Sequence, residues 1–278
     1  MGIQPRRLGS IGGSFVSRNS YLSAFPEIFQ ERKESVDTTV NKLKTGNVKN
    51  NFIDRHYSSL AYGYSTIGMG EWLLHSDAIT AKKNFYLSAK LQEILFQKYD
   101  DKKIAVSPSF VVMSSYPRVL LALISDSYQL TDSLARLIGN RPKEERETGH
   151  PFADNVGYAI KHLLLNEDAK AKTHIDALLS MENDEELKLQ IGYGKVLKGI
   201  LDADENAVNE GLKVMTDCHK KDDEYKDSPE EFFSIPVLGL AKLAMRRGIK
   251  ISIDDPIAPK EMLEHHEIEY PAIDFVAN

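Results

Sequence analysis

The sequence predicts an all-α architecture of irregular stacked helical hairpins, a TPR-like α-solenoid, with a short extended segment near the C-terminus. Three observations carry this. Apolar residues recur at three- and four-residue spacing from about Ser35 to Arg247, which gathers them on one face of a 3.6-residue turn. Short polar turns interrupt that pattern, and the last three begin 41 and 36 residues apart, close to the periods of stacked helix pairs. A single amphipathic pair cannot bury its apolar face alone, so neighbouring pairs must stack.

Residues 1–34, with Gly9, Ser10, Gly12, Gly13 and Ser14 near their start, read as a loosely structured lead-in to one helical-repeat domain over 35–278. Leu60, Tyr64, Ile67 and Leu74 form the first apolar stripe, and Leu87, Leu91, Ile94 and Leu95 answer it across the turn His75-Ser76-Asp77. Leu120, Leu121 and Ile124 pair in the same way with Leu130, Leu134, Leu137 and Ile138 across Ser125-Asp126-Ser127. Val156, Ile160 and Leu163 pair with Ala171, Ile175, Leu178 and Leu179 across Asn166-Glu167-Asp168. Tyr193, Val196, Leu197, Ile200 and Leu201 pair with Val208, Leu212 and Met215 across Asp202-Ala203-Asp204. A last helix is expected from Ser228-Pro229-Glu230-Glu231 to a left-handed stop at Gly248, with Pro236 either kinking it or delaying its start. Ile249, Ile251 and Ile253 alternate with polar residues as the extended segment, and a short helix is expected around Lys260 to His265.

The chain has 278 residues, 42% hydrophobic and 27% charged, which argues against long disorder and against a bilayer-embedded protein. One cysteine, Cys218, excludes an internal disulfide framework and suits a reducing compartment. No export signal is read near Met1, so a cytoplasmic location is expected. Charge is uneven: residues 1–50 carry a net +4, residues 51–180 are neutral, and residues 181–278 carry −10. The acidic end is either a solubilising surface or a recognition face for a basic partner. No Lys/Arg stripe is dense enough for direct nucleic-acid binding, and no apolar run is long enough for a membrane span.

Catalytic grammar is thin. Leu8 to Gly13 has glycines but no following Lys-Ser/Thr, so it makes no phosphate loop. His265-His266 with Glu267 and Glu269 is the only compact set of metal-capable side chains, but adjacent residues on a helix point about 100° apart, and a solvated tail is expected rather than a metal site. Cys218-His219 diverge for the same reason. Glu71, beside Trp72 in an apolar run, either titrates as a buried acid or hydrogen-bonds a neighbouring helix. Tyr57, Tyr62, Tyr64, Trp72, Phe85 and Tyr86 are core residues or, where exposed, contact residues. No cofactor and no catalytic residue is assigned.

The stretch Glu231-Phe232-Phe233-Ser234-Ile235-Pro236-Val237-Leu238-Gly239-Leu240-Ala241-Lys242-Leu243-Ala244-Met245-Arg246-Arg247-Gly248, followed by Asp254-Asp255-Pro256, resembles the C-terminal signature of the immunity protein 49 family. The segment Leu120 to Gly139, ending near Arg141-Pro142, is also similar, and a looser likeness runs from Leu60 to Pro256. These motif residues are mainly apolar and structural. The resemblance implies a mostly helical protein encoded beside a bacterial polymorphic toxin, which binds and neutralises that toxin by occluding its active site. Carboxylates can stand in for the phosphates a nuclease expects, so the toxin face is placed on Asp202, Asp204, Glu205, Asp222, Asp223 and Glu224, acids crowded at inter-helix turns. The partner expected is a cognate toxin with a basic surface. The alternative is a helical-repeat adaptor or regulator that binds a peptide or protein in a concave groove.

Overall fold

Four helical hairpins carry the architecture, and a computed structural model describes residues 18–276 of the chain. The eleven α-helices among these residues are α1 (Arg18–Lys44), α2 (Ile53–His75), α3 (Ala78–Asp100), α4 (Pro117–Ile124), α5 (Tyr128–Leu137), α6 (Pro142–Thr148), α7 (Pro151–Leu164), α8 (Asp168–Ser180), α9 (Tyr193–Asp202), α10 (Glu205–His219) and α11 (Ile235–Arg246). Consecutive helices pair as α2–α3, α4–α5, α7–α8 and α9–α10, with α1 against α2 and α11 against α4. The fold is all-α, as the periodicity predicts.

Each hairpin turn falls where the polar breaks place it, and each reverses through one left-handed residue: Ser76, Asp126, Asn166 or Ala203, with φ between 53° and 66°. That conformation is unfavourable for a side-chain-bearing residue and persists because the helices on both sides fix it. Two of the following helices are capped by their turn. Asp77 accepts from the Thr80 N–H at 2.9 Å and Asp204 from the Ala207 N–H at 3.0 Å.

The lead-in expected over residues 1–34 is corrected in part. The notional start at Ser35 lies inside α1, which begins at Arg18; residues 1–17 lie outside the described residues. Tyr21, Phe25, Phe29 and Val36 are buried along one face of α1, and the Phe29 ring sits over Gly70 of α2, where a Cβ would come within 2.3 Å of it. This packing holds the segment helical despite Pro26 inside it.

At the other end, Pro229–Phe232 is a separate 3-10 turn, and α11 starts only at Ile235, capped by Ser234 with Pro236 in its first turn. Pro236 therefore delays the helix rather than kinking it. The helix ends in a Schellman arrangement: Ile249 N–H donates to Ala244 O at 3.0 Å and Gly248 N–H to Met245 O at 2.9 Å, with Gly248 at φ +82°. Gly239 lets α11 close on α4; a Cβ there would stand 2.5 Å from Leu120 Cβ.

Ile249, Ile251 and Ile253 keep their alternation against the core, but no strand forms among the described residues. The Asn209 amide serves this segment instead, donating to Lys250 O at 3.0 Å and accepting from Ser252 N–H at 2.8 Å. The helix expected around Lys260 to His265 is one 3-10 turn, Lys260–Met262. Beyond it the chain runs back as a strap. Tyr270 stacks on Tyr86 at 4.2 Å and donates to Ser125 O at 2.6 Å, Asp274 pairs with Lys44 at 2.8 Å, and Phe275 is buried in the core of α1–α3.

A buried ion cluster anchors this strap. Asp126 lies between Lys82, at 2.6 Å, and Lys242, and all three side chains are buried. Lys82 also donates to Glu264 O, Lys242 to Leu263 O at 3.1 Å, and the His266 N–H to Asp126 at 3.1 Å. Burial pulls Lys82 down to about 8 against the opposing pull of Asp126.

Candidate functional site

The six carboxylates assigned to a toxin face are not brought into one patch. Asp202, Asp204 and Glu205 stand before or at the start of α10, and Asp222, Asp223 and Glu224 follow its end. The 15 residues of α10 hold the two groups roughly 22 Å apart. All are exposed except Asp222, which is half-buried. Several already have local work: Asp202 pairs with Lys198 at 2.5 Å, Asp223 with Lys226 at 2.5 Å, Asp204 caps α10, and Asp222 accepts from the Glu224 N–H at 3.0 Å. Such exposed pairs hold their geometry weakly and leave the carboxylates open to a partner.

The other sequence candidates resolve into packing roles. Glu71 pairs with Lys33 of α1 at 3.1 Å, the inter-helix bond that was one of its two readings. Burial pushes the Cys218 thiol up, away from a reactive thiolate, and its sulfur approaches Lys188 O at 3.9 Å. His219 turns elsewhere, stacking on Tyr225 at 4.1 Å, with its Nε2 2.8 Å from Glu230 O. His265 stacks on Tyr128 at 5.6 Å, while His266 Nδ1 lies 3.1 Å from Lys82 Nζ, so the two rings part. Among the described residues, no group of three or more His, Cys, Asp or Glu is placed to hold a metal ion. Tyr57 and Phe85 are core residues, whereas Tyr62 is exposed with the Arg32 guanidinium over its ring at 5.3 Å.

The structure also presents a site that the sequence does not. A cavity of about 400 Å³ opens between α2, α3, the segment leading into α4, the start of α9, the end of α10 and the approach to α11. That volume lies within the range of small-ligand pockets. Tyr62, Phe110, Tyr116, Tyr193, Tyr225 and Phe233 provide aromatic walls, and Arg118, His219 and Glu230 provide charge or titratable nitrogen. Burial pushes Tyr116 and Tyr225 up to about 12 and Tyr193 well above its ordinary value, so all three keep their protons at neutral pH. Burial lowers His219 and favours its neutral ring.

Arg118 is the only charged side chain of α4, whose remaining residues are apolar. Its Nη1 donates to Ser88 Oγ at 3.0 Å, and Ser88 Oγ in turn donates to Ala61 O at 2.5 Å. Burial lowers the guanidinium to about 10, a shift that Glu230 opposes, and it stays charged at neutral pH. Among the described residues no carboxylate lies within ion-pair distance of it. Glu230 has a buried Oε2 with no hydrogen-bond partner among those residues. A lone charge inside the apolar run Pro117–Ile124 was the one signal in the sequence that pointed here.

The segment from α7 to the 3-10 turn after α11 decides the comparison with known proteins. Residues 157–262 match the family model of immunity protein 49. The resemblance read from residues 231–256 is borne out, and the immunity protein 49 match extends it upstream to Gly157 in α7. The likeness read over Leu60 to Gly139 and at Arg141-Pro142 lies outside the match. No curated protein and no solved structure matches the chain. Seven residues of the cavity, Tyr193, His219, Tyr225, Glu230, Phe233, Ile235 and Pro236, come from the segment similar to immunity protein 49; Arg118 comes from outside it. No helix among the described residues is long and apolar enough to cross a membrane.

Proposed function

We propose that this protein is an immunity protein that binds a cognate bacterial toxin in the cytoplasm of the producing cell and neutralises it by covering its active site. The match of residues 157–262 to the immunity protein 49 family carries this reading. The helical framework supports it, because a direct inhibitor needs a preorganised surface and no reactive group. The toxin side has a basic surface, as a nuclease presents to its phosphates. Asp202, Asp204 and Glu205 meet it at one end of α10 and Asp222, Asp223 and Glu224 at the other, so the interface spans the length of that helix.

Co-expression with the toxin encoded beside it tests the reading: the chain is expected to form a stable complex and restore growth. Absence of both complex and rescue overturns it. Replacing all six acids by lysine, which moves the formal net charge from −6 to +6, should slow association steeply at low salt and much less at high salt. An association rate indifferent to both the substitutions and the salt would remove this face while leaving the toxin reading intact.

A further inference from the structure

We propose that the cavity beside Arg118 is a binding socket for an α-amino-acid unit with an apolar or aromatic side chain, presented as the free amino acid or as the C-terminal residue of a peptide. Two side chains of opposite charge in this concavity lack the polar partners they need among the described residues. Arg118 offers several N–H donors, yet its one side-chain bond among the described residues goes to a neutral hydroxyl. A desolvated guanidinium without a counter-ion is costly, and a carboxylate answers it with the right planar geometry. Glu230 lines the same cavity and holds a buried acceptor oxygen that lacks a donor. A ligand N–H or ammonium supplies that donor.

Charge decides against a phosphate. The lining holds one guanidinium and one carboxylate, and burial keeps His219 from adding positive charge. A dianion would meet one cation and be repelled by Glu230. A free amino acid, with a carboxylate for Arg118 and an ammonium for Glu230, leaves the cavity balanced; a chain end adds a single negative charge, half that of a phosphate dianion, and offers Glu230 its amide N–H. Tyr62, Phe110 and Tyr225 then give its side chain aromatic surface, and the volume of about 400 Å³ accommodates a residue of that size. This inference goes beyond the toxin reading and does not depend on it.

Calorimetric titration of the full chain tests the socket, with phenylalanine, glycylphenylalanine and the C-terminal amide of glycylphenylalanine as probes. The two free acids should saturate, and the amide should bind at least about tenfold more weakly. Tighter binding of the dipeptide assigns the site to a chain end, and tighter binding of phenylalanine assigns it to the free amino acid. In Arg118→Gln the preference for the acid over the amide should vanish, with circular dichroism confirming the fold. If that variant does not fold, the acid-against-amide comparison on the unaltered protein decides. In Glu230→Gln the acid preference should remain, while phenylalanine loses its advantage over phenylpropionate, which lacks the amine. Equal binding of acid and amide by the unaltered protein, or no saturation by any probe at millimolar concentration, overturns the proposal. No toxin enters this experiment, so its failure leaves the proposed function untouched.

Discussion

Asp126 shows how much one residue can hold. It turns a hairpin at φ +66°, pairs with two buried lysines and receives the backbone of the returning C-terminal segment. Asp126→Asn keeps the shape and tolerates the left-handed backbone, yet leaves Lys82 and Lys242 buried without a counter-charge. It should lower unfolding free energy by about 3–5 kcal/mol, read from urea denaturation. A second residue-scale effect is pH-dependent. Tyr158, His162 and His174 form a cluster of three near-parallel rings, the two imidazoles 5.7 Å apart, and burial lowers both histidines from the ordinary 6.5. Glu167 pulls His162 the other way but does not prevail. The unfolded chain therefore binds protons more readily than the folded one, so stability is lost as pH falls below 6.5. The melting temperature should drop between pH 7 and 5, and His174→Gln should flatten that slope; an unchanged slope would show that these imidazoles titrate alike in both states.

At the scale of elements, the interior of α11 and its C-terminal stop separate two uses of glycine. Gly248 stops the helix at φ +82° and nothing lies within 4 Å of where its Cβ would be, so Gly248→Ala tests backbone strain alone, about 1–2 kcal/mol. Gly239 has ordinary helical geometry but faces Leu120 of α4, so Gly239→Ala should cost about 1–3 kcal/mol through displaced packing. Thermal melts of the two variants, with their sum compared with the double variant, check both values. The stop at Gly248 was legible in the sequence, because caps, stops and hairpin turns depend on residues close together in the chain; the contact of Gly239 with Leu120 was not. Nor was the helical start at Arg18. Its four buried positions, Tyr21, Phe25, Phe29 and Val36, do fall on one helical face, but the Gly- and Ser-rich residues before them and Pro26 read as a loop, and packing on α2 overrides that reading.

At the scale of the molecule, the sequence told class but not assembly. Stacked hairpins follow from periodicity, whereas the cavity is built from residues between Ser58 and Pro236 that no spacing rule relates. The acidic triads illustrate the converse: the sequence already places the Val208–Met215 helix between them, and the structure adds its full length, which holds the two groups apart. The C-terminal strap is likewise a long-range object. Ending the chain after Leu263 removes the Tyr270–Tyr86 stack and the buried Phe275 ring, and should lower stability by about 2–4 kcal/mol. Urea midpoints of the shortened and full chains give the comparison, and equal midpoints would mean that the strap is carried passively.

That strap also orders events during synthesis. The hairpins α2–α3 and α4–α5 can close as soon as they leave the ribosome, because their partners are neighbours in the chain. Lys82 and Asp126 must then wait, still hydrated, for a backbone carbonyl some 180 residues downstream of Lys82. The first half of the nascent protein is thus held unlatched until the segment around Glu264 has been made.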